Sequence, residues 1–588
     1  MSPIALTAPV VEAKGKPLPE ALKNDLIEVR VEQALNQPAR CVLRFKATDH
    51  DQGGVFGKPG NAVKVGMPRH GRLFEGELVA IEVERTLEGT PTLTVVAYDV
   101  SIRMAAITNV RTFLDQTASN IVSKLTYPMT AVVDGKAPYT SKIPYLLQAG
   151  TDLELLDLLA ARTGGDWWCD GEELHLKTLD SKGTRTIKVK AKELEQLSVR
   201  ASAHRPDKIE VRGWDSTQQQ PIVGTSTLGD ATMSANGKLV MAVSRASWFN
   251  RQHITSALPT ATGDEAKVLA EALMRRSASA AVHAEGEGIG LTELRPGMSL
   301  EVADSGSLEG TYLVTEVQHH FAPGLPPTTR FVAGDRHPGA GTALFGDAGH
   351  HSIDSYTGVV VGKVTNIKDK EKKGRVKVRF MGLSSEHESA WARVVVPGAG
   401  KGRGDVKLPE VNDEVLVGFE GGDLRKPVVI GGLFNNVSTI PEWQVDDQGK
   451  VAGRRMTSRL GHYIEIADQL DSQKLEHILL SLKDNKTQLR LAKDKAHLLV
   501  PAGNPLTIEV GSQSKVVFDG NGKITIDCVD LEIKAKNKIV MDAVQIEGKA
   551  KATVKLTGNA TAEIAGNASA KIQGGGMLEL KGGIVKIN

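Results

Sequence analysis

The chain has 588 residues, with 72 lysines and arginines against 70 aspartates and glutamates. That length predicts several domains of ~100–200 residues each, and the balanced charge argues against a general nucleic-acid binder, which carries a basic excess. Cys41, Cys169 and Cys528 lie far apart, fit no metal-ligand or disulfide spacing, and read as reduced thiols of a chain assembled in a reducing cytoplasm.

The N-terminal MSPIALTAPVVEAKGK lacks a basic region followed by an apolar core, so no Sec-type signal is expected. No apolar run approaches the ~20 residues of a membrane-spanning helix. Most of the first 335 residues read as strands: LIEVRVEQ, CVLRFKA, LVAIEVERT, LTVVAYDV, KIEVRGWD and YLVTEVQHHF are alternating and rich in β-branched residues. Three helices interrupt them. TASNIVSKL starts near Thr117. TDLELLDLLAARTGG carries Thr151 as N-cap and Glu154 three residues on, a capping box, and Gly164 can end it. GDEAKVLAEALMRRSASA is amphipathic, with Asp264 as its expected cap. The tandem Trp167 and Trp168 could stack on a sugar or base, but core packing behind the capped helix is the better reading.

Residues 336–356 are Gly-rich and weakly periodic, a linker, and His350 and His351 within them have no further ligands at regular spacing. From 357 to 436 come five short strands separated by turn residues: GVVVGKVTNI, GRVKVRFMG, SAWARVVVPG, NDEVLVGFEG and KPVVIGGLF. This spacing predicts a small barrel of the OB type. VVVPGAGKGRGD within it superficially resembles a phosphate loop, but Val395 and Gly402 stand where a Gly and a Ser or Thr are required. It is read as a structural loop, and Arg403-Gly404-Asp405 as a chance tripeptide.

Residues 437–543 read as a neck of short strand-like pieces (HYIEIAD, HILLSLKDN, QLRLAKD, KITIDCVD, LEIKAKN) that begins a β-helix. From 544 to 588 the pattern becomes an octad. Gly558, Gly566, Gly574 and Gly582 recur every eight residues, and every even position from Val544 to Ile584 is apolar or Gly. One face of an extended chain is then apolar throughout, with the glycines permitting a turn or a close backbone approach. The expected core comprises Val554, Leu556, Ala560, Ala562, Ile564, Ala568, Ala570, Ile572, Leu578, Leu580 and Ile584. Short repeats bury such a face only by stacking on neighbours. Three copies around one axis would do so and leave no open sheet edge; a single-chain solenoid or an ordinary sheet edge is the alternative. The NAT and NAS triplets of the octads have no meaning as glycosylation acceptors without a secretory signal.

The middle block resembles the OB-fold segment of VgrG-type spikes of contractile injection systems. The resemblance rests on GRVKVRF, WARV followed by a Gly-rich loop, PEVNDEVLVGFEGGD and PVVIGGLFN. EVRGWDSTQQQPIVG, QAGTDLELLDLLAARTGGDWWCDGEELHL and the segment from EAKVLAEALMRR to TEVQHHF are similar to the phage late-control hub protein. The resemblance implies a mainly β fold: hub-like β-barrel domains with a few helices (1–335), an OB collar, and a C-terminal intertwined trimeric β-helix. It also implies a homotrimer that docks on a sixfold inner tube and on baseplate proteins, pierces a target membrane, and can carry effector cargo. A PAAR-repeat tip protein would seat on Ile584, Val585, Ile587 and Asn588. Many type VI spikes carry an HW pair after the GRVKV strand; here the chain reads RFMGLSSEHE. With the short needle, this leans towards the spike of an extracellular phage-tail-like particle, assembled in the bacterial cytoplasm and then released or anchored. A type VI spike, a wall-degrading spike enzyme and a trimeric adhesin fibre are the alternatives. The gap between Asn436 and His462 is too short for a lysozyme domain, and no toxin domain is expected after the needle. No catalytic, cofactor or metal residue is assigned, and the chain is expected not to be an enzyme.

Overall fold

The computed structural model describes all residues except 1–7, 47–52, 69–70, 86–88, 204, 216–217, 229–234, 245–250, 257–259, 261, 335–357, 381–387, 442–444, 469–475 and 588. The linker expected over 336–356, with His350 and His351, lies outside the described residues. The chain divides into two units, Met1–Ile440 and Pro441–Asn588.

Alternation builds the first unit. Along Arg40–Lys46 one parity, Cys41, Leu43 and Phe45, is fully buried. Leu93, Val95 and Ala97 of Thr92–Tyr98 do the same on the neighbouring strand. Gly310–Phe321 then returns to pair with Leu26–Ala34, from Glu316 opposite Ala34 to Phe321 opposite Val29. The same strand also pairs with Thr328–Ala333, which continues to Val282–Ile289 and Leu194–Ala201. One sheet therefore runs across two apolar cores, one around Val29, Leu43 and Val95 and one around Val314, Val317 and Phe331.

A helical module lies between these strands in sequence. The expected capping box is present: the Glu154 amide donates to Thr151 Oγ1 (3.1 Å), and the Thr151 amide donates to Glu154 Oε2 (2.7 Å). Gly164 ends Asp152–Thr163 in the left-handed conformation. Thr117 caps Ala118–Thr126. The cap of Gly263–Ala280 is Thr262, whose hydroxyl accepts from the Glu265 amide (3.1 Å). The expected Asp264 instead occupies the first turn, where its charge favours the helix dipole. Trp167 is fully buried and donates to Asp157 (2.7 Å), while Trp168 stacks on His175 with ring centroids 4.9 Å apart.

The collar has five strands in the order Lys377–Arg379, Val360–Asn366, Glu414–Phe419, Pro427–Gly432 and Arg393–Val394. They enclose Val364, Val378, Val415, Val417 and Val429. The phosphate-loop lookalike is a hairpin in which Ala399–Gly400 pairs with Arg403–Gly404. Gly404, at φ 150°, would bring a Cβ to 2.6 Å from the Gly398 carbonyl, so this position needs its glycine for the turn.

The second unit opens with a five-stranded antiparallel meander: Gly453–Thr457, Tyr463–Ala467, His477–Ser481, Gln488–Ala492 and Ala496–Leu499. A three-stranded meander follows: Leu506–Val510, Ser514–Phe518 and Ile524–Cys528. The expected strand piece LEIKAKN forms no ladder, nor do any of the described residues after Cys528. Bends fall there at 551–552, 559–560, 567–568, 575–576 and 583, the octad period.

Candidate functional site

Burial in the five-stranded meander is inverted. Cross-strand register aligns Met456, Ile464, Leu480, Leu489 and Leu498 into one row. Ile466, Ile478 and Leu491 form a second row on the same face. These aliphatic ladders are open; Ile464 is 41% and Leu480 43% exposed. The opposite face is polar and closed. Arg455 Nε donates to Glu465 Oε2 (2.8 Å), and its guanidinium lies 3.9 Å from the Tyr463 ring centre. Glu465 Oε1 is 3.0 Å from His477 Nε2, and Arg490 Nη2 is 3.3 Å from His477 Nδ1. Arginine only donates, so Nδ1 accepts and Nε2 carries the proton towards the carboxylate. Leu479, between Glu465 and Arg490 in register, is only 7% exposed. A sheet that covers its charges and bares its aliphatics is built to place the bare face against something else.

The same parity continues. Ile508 with Val516 and Ile526, and Phe518 with Ile524, stand on one face of the three-stranded meander, with Cys528 on the same parity as Ile524 and Ile526. In the octads, Val554, Leu556, Ile564, Ile572, Leu578, Leu580 and Ile584 are all exposed, from 52% at Leu578 to 84% at Leu556. Ala560, Ala562, Ala568 and Ala570 are exposed as well. Val585 and Ile587, assigned to the tip end, are exposed, and Asn588 lies outside the described residues. The octad glycines serve a close approach: a Cβ on Gly558, Gly566 or Gly574 would lie 2.3, 2.3 or 2.4 Å from the carbonyl oxygen three residues on, against 3.4 Å at Gly582, whose nearest carbonyl is that of Ile584. Sequence reading found the octad face and gave 437–543 as a neck and the start of a β-helix, without singling out the aliphatic rows of the meander. The signal there was the even-position run Ile464, Ile466, Ile478, Leu480, interrupted by loops of unequal length.

The first unit carries a cleft of about 650 Å³ lined by Arg72, Trp168, Asp170, His175, Arg185 and Arg295. Its charges serve the fold. Arg72 pairs with Asp170 and Glu75, and Arg185 with Glu293 (2.9 Å). Arg295 donates to the carbonyls of Thr292, Leu294 and Arg72 (2.8, 2.8 and 2.6 Å), and burial pushes its guanidinium down to about 10. Burial, with the Asp99 charge, pushes the Cys169 thiol up, away from the thiolate a nucleophile needs. All three cysteines are free. Among the described residues no three His, Cys, Asp or Glu side chains are grouped to hold a metal. No described helix is long and apolar enough to cross a membrane.

Residues 32–324 match the family described as the phage tail baseplate hub. Residues 360–434 match the type VI secretion system/phage-baseplate injector OB domain. The type VI secretion system spike protein VgrG1c of Pseudomonas aeruginosa is 29% identical over 149 residues, 24% of this chain and 20% of that protein. The chain is a VgrG-type spike protein. Similarity extends to the Vibrio cholerae spike VgrG3, 33% identical over 108 residues, 17% of this chain and 11% of that one. It also extends to the Vibrio cholerae actin cross-linking toxin VgrG1, 27% identical over 136 residues, 22% and 12%. The alignment spans about a fifth of the length of the first of these VgrG relatives. Among solved structures, an E. coli component of the type VI secretion system is similar with a TM-score of 0.45 and 15% identity, covering 70% of this VgrG-type chain and 97% of its own. A PdpA–VgrG complex gives 0.48 and 9%, covering 88% and 97%.

Proposed function

We propose that this VgrG-type spike is a homotrimer whose C-terminal unit is a puncturing needle, driven through a target envelope by sheath contraction and not by catalysis. One observation carries the reading: in the meander the aliphatic ladders from Met456 to Leu498 are open while the charged face is closed, and the apolar parity of the octads after Val544 is open as well. Three copies that turn these faces to a common axis remove them from water, at about 1.5–3 kcal/mol for each fully buried large aliphatic side chain. No strand could then peel away without breaking contacts to two other chains, which supplies the stiffness a point needs. The test is light scattering of the full chain: a mass of three 62.9 kDa copies is expected, and a monomer overturns the reading.

The hub would dock on an inner tube and baseplate, with effector cargo as a further partner. A PAAR-repeat tip protein would sit on the apolar end at Ile584, Val585 and Ile587. Deleting the last eight residues should abolish its capture in a pull-down; unchanged capture sinks that assignment. The machine itself has two readings. The RFMGLSSEHE departure supports an extracellular phage-tail-like particle, although residues 381–387 lie outside the described residues. The curated relatives above named as spikes are type VI proteins, which supports anchoring in the producing cell. Recovery of the chain on sheathed particles from culture medium supports the first reading; retention with the cell envelope supports the second.

A further inference from the structure

Among the described residues, the turn 420–426, between the strands Glu414–Phe419 and Pro427–Gly432, carries the polar contacts described below from collar to hub, and Ala390 and Phe419 join its apolar contact. The turn is closed on itself: the Glu420 amide donates to the Lys426 carbonyl (3.1 Å), and the Lys426 amide to the Asp423 carbonyl (2.8 Å). Its side chains then enter the hub by three separate chemistries. Leu424 packs with Tyr145 and Leu147 on the outward side of Lys142–Thr151, backed by Ala390 and Phe419 of the collar. Arg425, nine-tenths buried, grips Asp423 of its own turn (2.9 and 3.0 Å) and reaches Glu265 of the hub helix (2.8 Å). Arg162, on the other hub helix, meets the same Glu265 oxygen (2.6 Å). Lys426 Nζ donates to the carbonyls of Trp214 and Thr260 (both 3.1 Å).

Burial lowers the Arg425 affinity for its proton, but Asp423 and Glu265 outweigh it and hold the guanidinium charged. A buried charge with two carboxylates in fixed geometry admits few other arrangements. We infer that residues 420–426 are a rigid key that locks the collar onto the hub, with Arg425 as its central tooth, so that the two domains respond to load as one body. The Gly-rich linker expected over 336–356 lies outside the described residues.

The inference goes beyond the needle and does not rest on it. It is tested by hydrogen exchange on the full-length protein in its native assembly, comparing Arg425→Met and Glu265→Gln with wild type. Both variants should raise exchange by about tenfold or more in 142–151 and in 414–432, with 40–46 unchanged. Heating should then resolve two unfolding steps in place of one. Unchanged protection on both sides of the contact overturns the inference. If Arg425→Met fails to fold, Glu265→Gln decides alone, because it leaves the Arg425–Asp423 pair inside the collar intact.

Discussion

At His319 the hub commits a titratable side chain to a neutral role. It is fully buried, with Nδ1 3.0 Å from Thr329 Oγ1 and Nε2 3.1 Å from Arg295 Nη1. The same Nε2 is also 3.1 Å from the Leu294 carbonyl, which can only accept, whereas the guanidinium can only donate. Burial, with the Arg295 charge, pushes the imidazole down from 6.5 to about 3. The unfolded chain therefore binds a proton between those values that the folded hub does not. Stability rises with pH across the window, and falls on acidification by about 1.4 kcal/mol per unit from this group. Denaturation midpoints measured from pH 7 to pH 4 should show that slope flattened in His319→Gln; an unaltered slope excludes His319 as its source. The octad glycines make a steric prediction of the same kind. Gly566→Ala puts a Cβ 2.3 Å from the Ser569 carbonyl, whereas Gly575→Ala meets nothing within 4 Å. The first should destabilise the needle by about 1–3 kcal/mol per chain and the second hardly at all, read as the thermal melt of the purified assembly. Equal melts would show that the glycines are not there for the carbonyl approach.

At the scale of elements, what the sequence made legible was local and what it hid was not. The Thr151 capping box, the helix start near Thr117 and the five collar strands are decided by residues within a few positions of each other, and each stands as read. The cap at Thr262 was misplaced by two residues because Asp264 and Thr262 are both competent caps and only geometry separates them. The pairing of Gly310–Phe321 with Leu26–Ala34 has no local signature, and neither does the reach of Arg425 to Glu265 across 160 residues. After Val544 the octads were legible because their period is strict. The meander before them carries an open aliphatic face of the same kind, but loops of unequal length break its register. Cys528 provides a direct test of that parity, since it shares its face with Ile524 and Ile526. If these faces meet around an axis, three Cys528 thiols lie near it. Mild oxidation should then form at most one disulfide per trimer, leaving one chain free, and Cys528→Ser should abolish the cross-link. Failure of the full-length trimer to cross-link under oxidant, or a cross-link that survives Cys528→Ser, would place Cys528 on the outward face.

At the scale of the whole molecule, hub, collar and needle differ in where their stability resides. The hub and collar each bury an apolar core within one chain, whereas the second unit leaves most of its large aliphatic residues open, and in the proposed trimer partner chains would cover them. Domains with closed cores fold alone; segments with open faces acquire stability only on assembly. The consequence is an unequal response to truncation. Removing 544–588 deletes the octad core, including Val554, Leu556, Ile564, Ile572, Leu578, Leu580 and Ile584, but leaves the ladders from Met456 to Leu498 and the face of Ile508, Val516 and Ile526. The shortened chain should keep an unaltered hub and collar, as read by hydrogen exchange over 26–46 and 360–432. Its trimer should weaken, melting at lower temperature and dissociating on dilution where the full-length spike does not. Sedimentation equilibrium over a concentration series separates the possibilities. A trimer as resistant to dilution and heat as the parent would assign assembly to the meanders alone. A truncated chain that is monomeric at every concentration would assign it wholly to the octads. The open aliphatic faces of the meanders and of the octads predict the intermediate result for the proposed trimer, because both segments present the same kind of face and each loses only its own share of burial.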